Sequence, residues 1–192
     1  TACVGLLLLL IGRGAEKRLG RRDGYVIVSV AWVAFSLFGM LPFYLSNYIP
    51  SVTNAFFETM SGFSSTGATI LDDIERLPHG LLFWRSMTQW IGGLGIVFFT
   101  IAVLPIFGVG GIQVFAAEAS GPTHDKVHPR IGITAKWIWS IDAGLTGALI
   151  ILLMLGGMDV FDSICHAFAT TGTGGFSTKQ ASIEYYHSPY IE

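Results

Sequence analysis

Two stretches of glycine and hydroxyl residues interrupt otherwise membrane-grade sequence: Phe63-Ser64-Ser65-Thr66-Gly67-Ala68-Thr69 and Phe168-Ala169-Thr170-Thr171-Gly172-Thr173-Gly174-Gly175-Phe176-Ser177-Thr178. The chemistry open to such a stretch is coordination of a desolvated alkali cation, which needs a ring of oxygens in place of its hydration shell. Backbone carbonyls supply that ring where glycine lets the chain leave helical geometry. Irregular backbone at membrane depth is tolerated only where it is buried in protein or lines a watery path. The two stretches are therefore expected to be two copies of one ion-selectivity filter, with carbonyls from Ser65, Thr66, Gly67 and Ala68 in the first, and from the Thr171, Gly172, Thr173, Gly174 and Gly175 run in the second.

The elements that must hold such loops follow from composition and hydropathy. The chain is 52% hydrophobic and 12% charged, about half the charge fraction of a soluble domain, and its mean hydropathy is +0.59. A polytopic all-α membrane protein is expected. Apolar segments run over 1–11, 24–45, 81–107 and 133–155, and the last three reach the ~20 residues needed to cross the hydrocarbon. The segment 1–12 is expected to be the end of another transmembrane helix, and the absence of a charged region before it argues against a signal peptide. The chain looks like an excerpt from a longer protein. No basic run of nucleic-acid type is present. Cys3 and Cys165 give neither a disulfide framework nor metal-ligand spacing, and are expected to be thiols in apolar sites.

Lysine and arginine placement sets the expected orientation. Arg13, Lys17, Arg18, Arg21 and Arg22 fall in a basic loop over 13–23, and Lys126 and Arg130 in a second loop over 108–132. Both loops are expected to be cytoplasmic. The glycine-rich segments carry acids instead, among them Glu58, Asp72 and Asp73, and are expected to face outside. A constant offset of 105 relates Trp32 to Trp137, Gly39 to Gly144, Phe63 to Phe168 and Gly67 to Gly172. The repeating unit is then a span, a short helix, a filter loop and a span: 24–107 for the first copy (filter 64–69) and 133–192, incomplete, for the second (filter 171–178).

The short helices, 52–63 and 159–170, are too short to cross and suited to going halfway. Asn54 and Asp159 are expected to cap their N-termini. A half-helix entering from outside aims its partially negative C-terminal end at the membrane centre, which favours cations; amphipathic surface helices are the competing reading. Asp142, inside the last span, is either functional or a buried acid bonded to a neighbouring helix. Arg85 either snorkels or pairs with Glu58, Asp72 or Asp73 in support of the pore mouth. His124, Asp125 and His128 lack the ligands of a metal site. The one arrangement that suggests a hydrolase, His166 beside Ser163 and Cys165, is weak, and no enzyme activity is expected.

The order of span, short helix, Thr66-Gly67-Ala68-Thr69 and span, followed by a second unit with Gly174-Gly175-Phe176-Ser177-Thr178, resembles the Trk/Ktr/HKT superfamily of potassium transporters, and its TrkH branch in particular. The strings Phe57-Glu58-Thr59-Met60-Ser61-Gly62 and Trp84-Arg85-Ser86-Met87-Thr88-Gln89-Trp90-Ile91-Gly92-Gly93-Leu94-Gly95 carry the likeness. What the resemblance implies is a potassium- and rubidium-permeable pore of four such units around a pseudo-fourfold axis in a bacterial inner membrane, with about one and a half units present here. It also implies potassium at the filter carbonyls and no other cofactor. A homodimer and a cytoplasmic nucleotide-binding regulatory ring of TrkA type are implied as partners beside the remaining repeats and the bilayer. The family pattern prefers Gly175, then Gly174, as the second filter glycine, against Gly172 from the ungapped offset. The competing function is a secondary transporter with broken helices, coupling cation or solute movement to an ion gradient as a symporter does. Two units of the same orientation favour the pore.

Overall fold

The computed structural model describes residues 21–107 and 128–192, with Gly5, and the described residues are helical with no strand. The end of a helix expected before residue 13, most of the basic loop, Cys3, and the loop residues 108–127 with His124, Asp125 and Lys126 lie outside them.

Helix α1 (Arg21–Gly39) leads almost directly into α2 (Leu41–Leu45). The single span expected over 24–45 is broken here because Pro42 has no N–H to donate to the preceding turn. The chain bends at Met40, whose own N–H still reaches the Ser36 carbonyl at 3.0 Å. Helix α3 (Val52–Phe63) follows, then α4 (His79–Phe107), α5 (His128–Leu155) and α6 (Val160–Thr171), with a closing 3-10 turn at Ser182–Tyr186. Helix α5 begins five residues earlier than the hydropathy predicts, inside the expected loop 108–132. Its entry residues are polar, and the hydropathy window sees only the apolar part.

The end of the bundle where α2, α3 and α4 meet is sealed by a small core of Phe43, Ile49, Ala55, Ile74, Leu77, Leu81 and Leu82, all buried. Below it α3 packs into α4 so closely that a Cβ on Gly92 would strike the Phe63 backbone and one on Gly62 the Thr88 hydroxyl. Such contact needs residues without side chains on the facing surfaces, as between membrane helices generally. Trp84 Nε1 donates to the Gly39 carbonyl at 2.8 Å, closing α4 onto the end of α1. The opposite situation holds on the outside of α5. Its segment Lys136–Leu155 has a mean hydropathy of 2.0 and is only 6% buried, which leaves Ile141, Leu145, Ile151 and Leu155 turned outward. A protein in water rarely exposes so continuous an apolar face, whereas hydrocarbon accepts it.

Candidate functional site: two facing loops and their buried braces

Both short helices end in the same way. After α3, Ser64 caps the helix, Ser65 takes φ +54°, and the N–H groups of Ser65 and Thr66 reach back to the carbonyls of Gly62 and Ser61, each at 3.0 Å. After α6, Gly172 closes the helix and Thr173 takes φ +56°. The N–H groups of Thr173 and Gly174 then bond the carbonyls of Thr170 (3.0 Å) and Ala169 (2.8 Å). This pair of bonds is the Schellman C-terminus, whose left-handed residue is ordinarily glycine. Here it is a serine and a threonine, and glycine comes two residues later, with Gly67 at φ +74° and Gly175 at φ +80°. Left-handed conformation at a β-branched residue is strained, and strain of this kind concentrates at functional sites.

The matching geometry corrects the repeat register. Ser65 corresponds to Thr173 and Gly67 to Gly175, so the offset is 175 − 67 = 108, and the helices agree, 160 − 52 = 108. The offset of 105 rests on matched letters in the spanning segments and does not hold for the short helices and loops, where it is 108. Thr171 belongs to α6, its hydroxyl donating to the Ala167 carbonyl at 2.8 Å, and is not part of the loop. The shifted register also moves the first cap. Ser51, not Asn54, caps α3, and its Oγ accepts from Asn54 N–H at 3.4 Å; in the second unit Asp159 accepts from Phe161 N–H at 3.0 Å.

The loops touch. A Cβ on Gly67 would collide with the Gly174 carbonyl oxygen, so the two backbones meet where both carry glycine. Thr66 and Ala68 in one loop, and Thr173 and Gly175 in the other, are exposed. The Ala68 carbonyl accepts from Ser61 Oγ at 2.6 Å, which spends one of its lone pairs on its own helix.

Behind this seam lies a charged brace with no access to water. Arg85 Nε donates to Glu58 Oε1 at 2.7 Å, and the two side chains are 2% and 0% exposed. Glu58 also accepts from Thr69 Oγ1 (2.8 Å) and Ile70 N–H (3.0 Å), holding the exit of the first loop. Arg85 Nη1 donates to the Ser177 carbonyl at 3.0 Å, and its guanidinium lies 3.6 Å from the centre of the Phe176 ring. One arginine on α4 thus ties both loops together. Of the three acids the sequence offered as its partner, Glu58 is the one taken. Asp72 and Asp73 are exposed and line a groove with Asn54 and Arg76.

In the second unit the residue equivalent to Glu58 is His166. Its Nδ1 lies 2.8 Å from the Asp162 carbonyl, which can only accept, so Nδ1 carries the proton. Bare Nε2 then accepts from Ser177 Oγ–H at 3.0 Å. Asp162 in turn accepts from Thr178 Oγ1 and from Tyr186 Oη, both at 2.7 Å. Burial, and then the hydrogen bond to the Asp162 carboxylate, push the Tyr186 phenol up from its ordinary range, which keeps it a donor. Ser163, the partner a hydrolase would need, has its hydroxyl directed at the Met158 carbonyl at 3.4 Å.

Asp142 is half-buried and accepts from Trp90 Nε1 at 2.9 Å. It braces α5 against α4 within this chain, with no need of a residue from outside it. Cys165 is fully buried. The residue that sequence reasoning passed over is Gln89, 0% exposed, whose Oε1 accepts from Phe176 N–H at 3.0 Å. The signal for it was a polar amide one turn after Arg85 on the same face of an apolar helix.

Comparison with known proteins places these features in a family. A model of TrkH, described as a cation transport protein, matches residues 2–192. The chain is 46% identical over 190 residues to the "Trk system potassium uptake protein TrkH" of Escherichia coli (strain K12), covering 98% of this chain and 39% of that protein. It is 44% identical to the TrkH of Halomonas elongata, covering 40% of it, and 38% identical to the "Trk system potassium uptake protein TrkG" of Escherichia coli (strain K12). The crystal structure of the potassium transporter TrkH from Vibrio parahaemolyticus superposes with a TM-score of 0.77 at 39% identity, over 93% of this chain and 35% of that one. The chain thus spans about two fifths of the length of the curated relatives it matches.

Proposed function

Since the chain belongs to the TrkH family of cation transport proteins, and so is a membrane protein rather than an enzyme, we propose that it contributes one pore unit and the first part of a second to a potassium uptake pathway that also passes rubidium. In this reading α3 and α6 are pore helices and the loops after them form part of a selectivity filter. The carbonyls of Ser65, Thr66 and Gly67, and of Thr173, Gly174 and Gly175, take the place of water around the ion. Ala68 contributes at the outer end, and Thr171 and Gly172 belong to the helix behind. The observation that carries this is the repeated backbone: left-handed residues at alternate positions in both loops, with Gly67 packed on the Gly174 carbonyl. Alternation of this kind aims successive carbonyls to one side, as a coordinating ring requires.

Two further features support it. The C-terminal ends of α3 and α6 run straight into the loops, and a partially negative helix end stabilises a cation nearby. The buried braces hold loop geometry without placing a free positive charge in the path, since Arg85 is neutralised by Glu58. The ion enters from outside past Asp72 and Asp73, sheds water at the carbonyls, and is drawn inward by the membrane potential, which supplies about 2.3 kcal/mol per charge per 100 mV. The loops face the outside of the bacterial inner membrane, with 13–23 and 108–132 cytoplasmic. Assembly as a homodimer with a nucleotide-binding ring beneath is part of the same reading, and charge reversal at Lys126 and Arg130 is the probe of that contact.

The deciding experiment is rubidium uptake into proteoliposomes holding the full-length protein, with potassium and sodium as competitors. Gly67→Ser and Gly175→Ser each put a side chain on a left-handed residue, one of them against the Gly174 carbonyl. Potassium-suppressed rubidium flux in the native protein, with weaker discrimination against sodium in both variants, is expected. Native-like discrimination in both variants would remove the loops as the filter and bring back a transporter with broken helices.

A further inference from the structure

Among the described residues, the buried side-chain polar atoms without a hydrogen-bond partner are Ser65 Oγ and Gln89 Nε2, and both lie at the loop pair. The orientation of the Gln89 amide follows from its chemistry. Phe176 N–H can only donate, so the oxygen faces it, at 3.0 Å, and the NH2 group is left pointing the other way with nothing to receive it. An unmade bond to a buried donor is costly. A leucine or methionine of similar size would spare the NH2 group that cost but leave the buried Phe176 N–H with no acceptor. The amide oxygen is what the loop requires of this position.

Its position shows what that is. The Gln89 amide lies flat against Gly174, where a Cβ would meet the amide oxygen at 2.6 Å and its carbon and nitrogen closer still. The backbone of the same residue backs the helix end that leads into this loop, since a Cβ on Gly172 would strike the Gln89 backbone carbonyl. One residue thus fixes the Phe176 N–H on one side and the Gly174 peptide on the other. It is the Gly174 carbonyl that packs on Gly67, and Gln89 Nε2 stands 4.0 Å from the Gly67 Cβ position. Gln89 belongs to the helix of the first unit, yet it seats the loop of the second.

We infer that Gln89 is a positioning residue for ion discrimination, setting through Phe176 and Gly174 the angle at which the second loop's carbonyl meets the first loop at Gly67. This rests on the loops being the filter. The part that matters is the acceptor: the oxygen facing Phe176 N–H, at the full length of the glutamine side chain.

The test uses the full-length protein in proteoliposomes, reading rubidium uptake and its inhibition by potassium and by sodium. Gln89→Met keeps volume and removes the acceptor; Gln89→Asn keeps the amide but falls one methylene short; Gln89→Glu keeps an acceptor at the right reach. Loss of one hydrogen bond of this kind is expected to lower the preference for potassium over sodium by about tenfold in Gln89→Met and Gln89→Asn, while Gln89→Glu retains most of it. Positioning is separated from packing because Gln89→Met and Gln89→Glu both keep the side-chain volume and differ in whether an oxygen faces Phe176 N–H. If Gln89→Met is not recovered from the membrane, the contrast of Gln89→Asn with Gln89→Glu decides alone. Unchanged discrimination in Gln89→Met or Gln89→Asn overturns the inference, as does a loss in Gln89→Glu as large as in the other two. Native protein without potassium-suppressed rubidium flux would overturn the filter reading and this inference together.

Discussion

At the scale of single residues, the energetics turn on Arg85 and Glu58. Two charges taken wholly out of water pay a desolvation cost that their attraction repays only with good geometry and further hydrogen bonds. Here the geometry is good: 2.7 Å between them, two more donors on Glu58 and the Ser177 carbonyl on Arg85. Removing one partner strands the other. Glu58→Gln or Arg85→Met is expected to cost about 3–5 kcal/mol, whereas the combined Glu58→Gln, Arg85→Met variant should cost less than the sum of the two. Thermal unfolding of the full-length protein in detergent, as a double-mutant cycle, measures the difference; additive losses would mean the pair does not act as a unit. Arg85 was legible in the sequence as a charge in an apolar helix needing a partner. Which acid it takes was not, because Glu58, Asp72 and Asp73 are all within reach until the turn after Thr69 is folded.

At the scale of elements, each short helix is defined by its two ends. The caps Ser51 and Asp159 satisfy N–H groups that the helix leaves open, and the Schellman turns release the chain into the loops. Asp159→Ala is expected to cost about 1 kcal/mol, while Asn54→Ala should fall within a few tenths, since Asn54 offers its backbone and not its side chain. Melting temperatures of the two variants against the native protein check this, and equal losses would restore Asn54 as a cap. Helix lengths and apolar character were readable from hydropathy and spacing. The three-residue shift in register was not, because a few matched letters in the long spans do not fix where the short helices begin.

For the molecule as a whole, orientation is the property that the lysine and arginine distribution predicts and that every step of the proposed permeation depends on. In the full-length protein with its native cysteines replaced, a cysteine at Asp73 is expected to react with a membrane-impermeant maleimide from outside in intact cells, and one at Lys126 only after the membrane is opened. The reverse pattern would invert the pathway. The two units are also joined beyond the loop pair. Ile74 N–H donates to Gln180 Oε1 at 3.1 Å and Gln180 N–H to Glu75 Oε1 at 3.2 Å, so the segments that follow the two loops bond directly to each other. The apolar outer surface of α5 stays unpaired with this chain, as expected of a surface that meets lipid or further units.

The sequence by itself determined what is local or additive: apolar helices from hydropathy, short helices from the length between turns, and loops from glycine and hydroxyl residues that no helix or lipid-facing segment would carry together. Tertiary structure decided what depends on two distant segments meeting. Gly67 and Gly174 are 107 residues apart and touch only because α4 returns between them, and Gln89 acquires its place from the Phe176 N–H it happens to face. Hydrogen-bond partners and close backbone approach fall off within a few ångströms, so their identity is a property of packing. Hydrophobicity and net charge act through sums along the chain, and sums survive in the sequence.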